Sequence, residues 1–194
     1  MKNASLVLAV CVCAVATWSG SALAEDAPTN FGAGALHVGG GVELSVSQEQ
    51  IDGDEAPVAI FFGLDAEVGY FPIDGLKLSG VPSFTVSSQG EATSVLVGVG
   101  LAVSYYLDLG PAAPFARAEG GLLFGRQSDG EAQSDLKGFD FGGGLGLAIP
   151  LWSNVIELSV EYQGRGLSLE RADSSADGSR HGLFVGLGYA LVLL

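Results

Sequence analysis

A chain of 194 residues has the size of one domain and leaves little room for a second. Its 8 basic and 22 acidic residues give a formal net charge of −14, which repels phosphate backbones and excludes nucleic-acid binding. With 48% apolar residues, 30 glycines and only 15% charged residues it is no disordered acidic chain, so its apolar side chains must be buried or face lipid.

The first element is a secretory signal peptide over residues 1–24. Lys2 gives a positive start, an apolar run covers residues 6–16, and Ala22-Leu23-Ala24 supplies a small-x-small cleavage pattern. The run is too short to cross a bilayer as a helix. Cys11 and Cys13 both lie inside it, so the processed chain carries no disulfide. Lipidation of Cys11 is disfavoured because Val10 is not the usual small residue. Residues 25–32 are read as a short N-terminal segment, and 33–194 as the folded domain.

From there the chain alternates apolar and polar residues with the period of a strand, eight times over. Run one sets Leu36, Val38, Val42, Leu44 and Val46 against His37, Glu43, Ser45 and Ser47. Run two sets Val58, Ile60, Phe62, Leu64, Val68 and Tyr70 against Asp65 and Glu67. Run three, about 76–87, has Lys77, Ser79, Ser83, Thr85 and Ser87 on its polar face and is weakened by Pro82. Run four carries Val95, Val97, Val99, Leu101, Val103 and Tyr105, and run five Leu122 and Phe124 against Arg117 and Glu119. Run six sets Phe139, Phe141, Leu145, Leu147 and Ile149 against Asp140 and four small residues. Run seven opposes Ile156, Leu158, Val160 and Tyr162 to Glu157, Glu161, Gln163 and Arg165, a charged row too continuous for a buried sandwich face. Run eight carries Leu183, Val185, Leu187, Tyr189, Leu191 and Leu193.

Short turns are expected at 71–75, 108–114 and 150–154, and longer polar loops at 48–57, 88–93, 126–138 and 170–180. Transmembrane barrels show this asymmetry, with short periplasmic turns, longer extracellular loops and both termini periplasmic. The expected fold is therefore all-β, an eight-stranded antiparallel up-and-down transmembrane barrel.

Aromatic placement separates a membrane barrel from a soluble carrier with a greasy interior. Tyr70, Tyr105, Tyr189 and Trp152 fall near one end of the strands, and Phe62, Phe84, Phe124 and Phe139 near the other. Two aromatic girdles flanking an aliphatic band suit headgroup depth on both sides of a bilayer. The inward face then holds Glu43, Asp65, Glu67, Lys77, Arg117, Glu119, Asp140, Glu157, Glu161 and Arg165. Eight strands leave an interior that side chains fill, so these groups are expected to plug the lumen, with inward glycines making room for the long cations.

These features resemble small outer-membrane barrels of the OmpA and OmpX type over about 31–194. The closing Leu187-x-Tyr189-x-Leu191-x-Leu193 looks like their C-terminal assembly signal, although it ends Leu193-Leu194 where an aromatic residue is usual. The resemblance implies a bacterial outer-membrane location, contact with lipids including lipopolysaccharide, insertion by the barrel-assembly machinery, and a monomer.

Chemistry is sparse. The processed chain has only His37, inward near the periplasmic end of run one, and His181, read as a loop-edge residue without a serine two residues away. Neither has the positioned partner that general-base work needs. Gly142-Gly143-Gly144-Leu145-Gly146 does not complete a dinucleotide fingerprint, and the acidic stretch 50–55 does not have EF-hand spacing. No catalytic, cofactor or metal site is expected. The expected role is non-enzymatic, in envelope structure or surface interaction, with a narrow solute channel or a lipid A-modifying enzyme as alternatives.

Overall fold

The computed structural model describes residues 30–51, 54–55, 59–89, 92–128, 133–171 and 174–193. The signal peptide, the cleavage point after Ala24, both cysteines, Val58 and part of the acidic stretch 50–55 lie outside them. Eight long strands follow one another: β1 (Leu36–Ile51), β2 (Ala59–Ile73), β3 (Leu76–Gln89), β4 (Ala92–Tyr106), β5 (Ala113–Ser128), β6 (Gln133–Leu151), β7 (Asn154–Arg171) and β8 (Ser174–Leu193). The pair Asp54–Glu55 folds back on the end of β1.

Each strand pairs antiparallel with its sequence neighbour, and β1 pairs with β8 to close the sheet. Closure leaves no edge, so every strand's amides are satisfied within the sheet, the condition for standing in hydrocarbon. The pairing from Leu36 runs through Tyr70, Leu78, Val103, Ala118, Gly143, Tyr162 and Leu183 and returns to β1 at Val46, ten residues further on (46 − 36). A stagger of that size goes with strands tilted by roughly 35–45°.

The apolar parity faces outward on every strand. Leu101 is 73% exposed, Leu145 67% and Val99 58%, within a continuous aliphatic wall. A water-soluble monomer does not leave such an area bare, whereas lipid tails cover it without cost. The molecule is a transmembrane β-barrel. Pro82 does not break β3: it stands on the outer parity, the pairing to β2 passes from Asp65↔Ser83 to Val68↔Gly80 in one register, and that register shifts between Tyr70 and Ile73.

The ends of the strands differ from the sequence reading. Residues 48–51, 88–89, 126–128, 133–138, 170–171 and 174–180, expected in polar loops, belong to paired strands. Alternation of hydropathy marks where lipid ends, not where pairing ends. Above the bilayer both faces can be polar while the backbone ladder continues, because an unpaired amide gains nothing by leaving it. At the end nearer the termini the connections are short: Asp74–Gly75, residues 107–112, and Trp152–Ser153. Gly75 (φ 75°) and Trp152 (φ 56°) take the left-handed conformation these turns demand.

Candidate functional site

The candidate site is the lumen, which is filled in three tiers. The tier nearest the termini is aromatic. Phe31 enters the barrel mouth and stacks on Tyr106 at 4.8 Å between ring centroids, with Phe71 and Phe115 beside them. His37 meets Phe71 edge-on at 4.7 Å, and its Nε2–H donates to the Asn30 carbonyl at 2.8 Å. Ala35, Ala113, Ala148, Val155 and Val192 complete this buried floor. The N-terminal segment is tied in by backbone bonds from Gly34 N to the Phe71 carbonyl and from Gly75 N to the Phe31 carbonyl. The Asp74 carboxylate accepts from Ala33 N.

The middle tier is a chain of ionic contacts that climbs the lumen from strand to strand. Tyr106 donates to Glu157 Oε1 at 2.8 Å. Lys77 Nζ lies 3.4 Å from the same oxygen and 2.8 Å from Glu67 Oε1. The other Glu67 oxygen takes Arg117 Nη1 at 3.0 Å, and Arg117 also holds Glu119 with Nε and Nη2, each 3.0 Å from Oε2. Gln163 donates to Glu119 Oε1 at 3.0 Å and accepts from Arg165 Nη2 at 3.3 Å. Lys77 is 1% exposed and Arg117 7%, so these charges depend on one another rather than on bulk water.

Room for them comes from opposing glycines. A Cβ on Gly69 would stand 2.8 Å from Lys77 Cδ, and one on Gly146 would stand 2.3 Å from Phe115 Cζ. Both side chains lie flat across a strand that offers them no obstacle.

Of the ten groups expected in the lumen, six are joined in this chain: Glu67, Lys77, Arg117, Glu119, Glu157 and Arg165. Arg165 reaches Gln163 and the Phe184 ring rather than a paired carboxylate. Glu43, Asp65, Asp140 and Glu161 line two small cavities of about 40 and 30 Å³, room for a few waters each. The distal tier closes the other end. Arg180 sits over Phe61 at 3.9 Å and Arg165 over Phe184 at 5.4 Å, with Leu96, Leu123 and Leu136 buried around them.

The eight girdle residues all point outward. Tyr70, Tyr105, Tyr189 and Trp152 ring the end near the termini, where Tyr189 donates to Asn154 Oδ1 at 2.7 Å. Phe62, Phe84, Phe124 and Phe139 ring the other end, joined by Phe141. On β2, Phe62 and Tyr70 are eight residues apart, about 20 Å of barrel height at that tilt.

The sequence reading missed the inward rings, although three doublets announce them. Phe61-Phe62, Tyr70-Phe71 and Tyr105-Tyr106 each send one ring to lipid and one to the lumen, because adjacent strand residues face opposite ways. His181 is corrected too. It lies within β8 on the outer wall, stacked on Tyr162 at 6.1 Å, and Ser179, two residues before it, shares that face. Among the described residues no hydrogen bond joins His181 to Ser179 or to a carboxylate, and no group of acidic, His or Cys side chains is arranged to hold a metal.

An eight-stranded transmembrane barrel with an outer lipid wall, two aromatic girdles and a filled polar lumen has the architecture of the OmpA and OmpX type. Neither a protein-family model nor a curated protein matches the sequence. Solved structures do match in fold. The outer-membrane protein AlkL, determined in lipid bilayers, superposes with a TM-score of 0.59 at 14% identity, over 90% of this chain and 96% of its own. Neisserial surface protein A gives 0.55 at 14% identity, over 80% and 97%. The outer-membrane protein OprG of Pseudomonas aeruginosa gives 0.53 at 14% identity, over 86% and 99%.

Proposed function

We propose that this protein is a bacterial outer-membrane barrel, with both termini periplasmic, that serves envelope structure or surface interaction without catalysing a reaction. The observation that carries this reading is the lumen itself: among the described residues an aromatic floor, an ionic middle and a distal layer of arginines stacked on rings fill it around two small cavities. A solute path would need at least two of these tiers to move. Strand ends that project past the distal girdle carry paired backbone to the outer surface.

The test has two parts. Fractionation with gel mobility before and after boiling is expected to show a heat-modifiable band in the outer membrane. The folded protein in a planar bilayer is expected to be electrically silent; steady unitary conductance would replace this reading with the channel. A second reading, modification of lipid A, draws on Ser179 and His181 sharing the outer wall near the distal girdle. Mass spectrometry of lipid A from cells expressing the protein tests it, and an unchanged lipid profile removes it.

A further inference from the structure

Cations are scarce in this chain, and their placement is uneven. Lys77, Arg117, Arg165 and Arg180 point into the lumen. Among the residues whose side chains are described, two cationic ones stand on the outer wall, Arg126 on β5 and Lys137 on β6, and they are neighbours. The register pairs Phe124 with Lys137 and Arg126 with Asp135. Arg126 and Lys137 are therefore diagonal partners on one face, about 7–8 Å apart at the backbone and within reach of a shared ligand. Both sit at or just beyond the distal girdle residues Phe124 and Phe139, the depth where hydrocarbon gives way to headgroups. On β7, Ser168 stands opposite Lys137 and adds a hydroxyl to the same patch.

We infer that Arg126 and Lys137 form a clasp for the phosphate of a phosphorylated glycolipid headgroup of the lipid A type, seated against the Phe124–Phe139 girdle. Charge complementarity argues for this occupant. The chain as a whole carries −14, so an anionic headgroup is repelled from most of the surface and finds paired donors here. A guanidinium offers a two-pronged edge to phosphate and an ammonium a point charge, and the two together suit one phosphomonoester. The bond from Arg126 Nε to Asp135 Oδ1, 3.2 Å with side chains 75% and 66% exposed, is of the weak surface kind. A phosphate displaces it readily, with Asp135 as its competitor for Arg126. The inference rests on the outer-membrane reading, with the distal end toward the outer leaflet.

Native mass spectrometry of the folded protein from detergent, titrated with bisphosphorylated lipid A, dephosphorylated lipid A and phosphatidylglycerol, tests the clasp. Bisphosphorylated lipid A is expected to be retained at least ten-fold better than either of the others. The double variant Arg126→Gln/Lys137→Gln is expected to lose that preference, whereas Asp135→Asn keeps or strengthens it, which a merely structural ion pair would not do. Equal retention by the double variant, or equal retention of phosphatidylglycerol, overturns the clasp. Fractionation keeps the two ideas apart: a heat-modifiable outer-membrane band without lipid A preference sinks the clasp alone, and a water-soluble product sinks both.

Discussion

At the scale of single residues, Glu67 is the joint on which the ionic middle tier turns, since its two oxygens hold Lys77 and Arg117 separately. Replacing it by Gln takes one carboxylate from each of two buried cations, leaving Lys77 to Glu157 and Arg117 to Glu119, and the expected loss is about 3–5 kcal/mol of unfolding free energy, measured by urea titration of the protein folded in micelles or vesicles. Glu43→Gln is the contrasting case. Glu43 faces both cavities and makes no ion pair among the described residues, so the amide is expected to leave stability unchanged or raise it. If the two substitutions cost the same, the ionic chain has no special standing. Phe31→Ala opens the aromatic floor and is expected to cost about 3–5 kcal/mol, the usual range for removing a buried ring. The carboxylates were legible from parity alone, because a charged residue on the polar face of a closed barrel can only point inward. Which of them pair was not, because pairing depends on strand stagger and rotamers that no local pattern records.

The strands themselves are of two kinds along their length. Within the bilayer their alternation follows lipid and lumen, and the sequence marks it plainly. Past the distal girdle they continue as paired backbone with polar residues on both faces, which reads in sequence as loop. Amide hydrogen exchange is the discriminating measurement. The amides of Gly178, Ser179, Arg180 and His181 are expected to exchange at least ten-fold more slowly than unstructured peptide, because the register places them in ladders with β1 and β7. Exchange at the unprotected rate would return this stretch to the loop assignment. Gly146 tests packing at the same scale. Leu there drives a side chain into the space of the Phe115 ring, and the expected result is a large fall in the yield of heat-modifiable protein.

For the whole molecule the decisive question is the solvent of the outer wall. Leu101 stands near mid-height and is 73% exposed, so in a water-soluble protein its replacement by Arg would be nearly free. Against hydrocarbon the same change is expected to cost about 2–4 kcal/mol, read from the unfolding midpoint of protein inserted in vesicles. A change within experimental error would contradict a lipid-covered outer wall and, with it, the inward and outward sense of every strand face. The solved barrels that match in fold do so at 14% identity, which shows how weakly this architecture constrains sequence: a parity and a closing register suffice, and many residues satisfy them.

By itself the sequence determined strand number and parity, because alternation with period two is a local rule that needs no knowledge of distant partners. Only the tertiary structure decided where pairing ends, that Phe31 plugs one mouth, and that Arg165 and Arg180 cap the other on Phe184 and Phe61. Those outcomes follow from the ten-residue stagger of a closed sheet, which sets which side chains share a level in the lumen. Stagger belongs to all eight strands together, and no single strand encodes it.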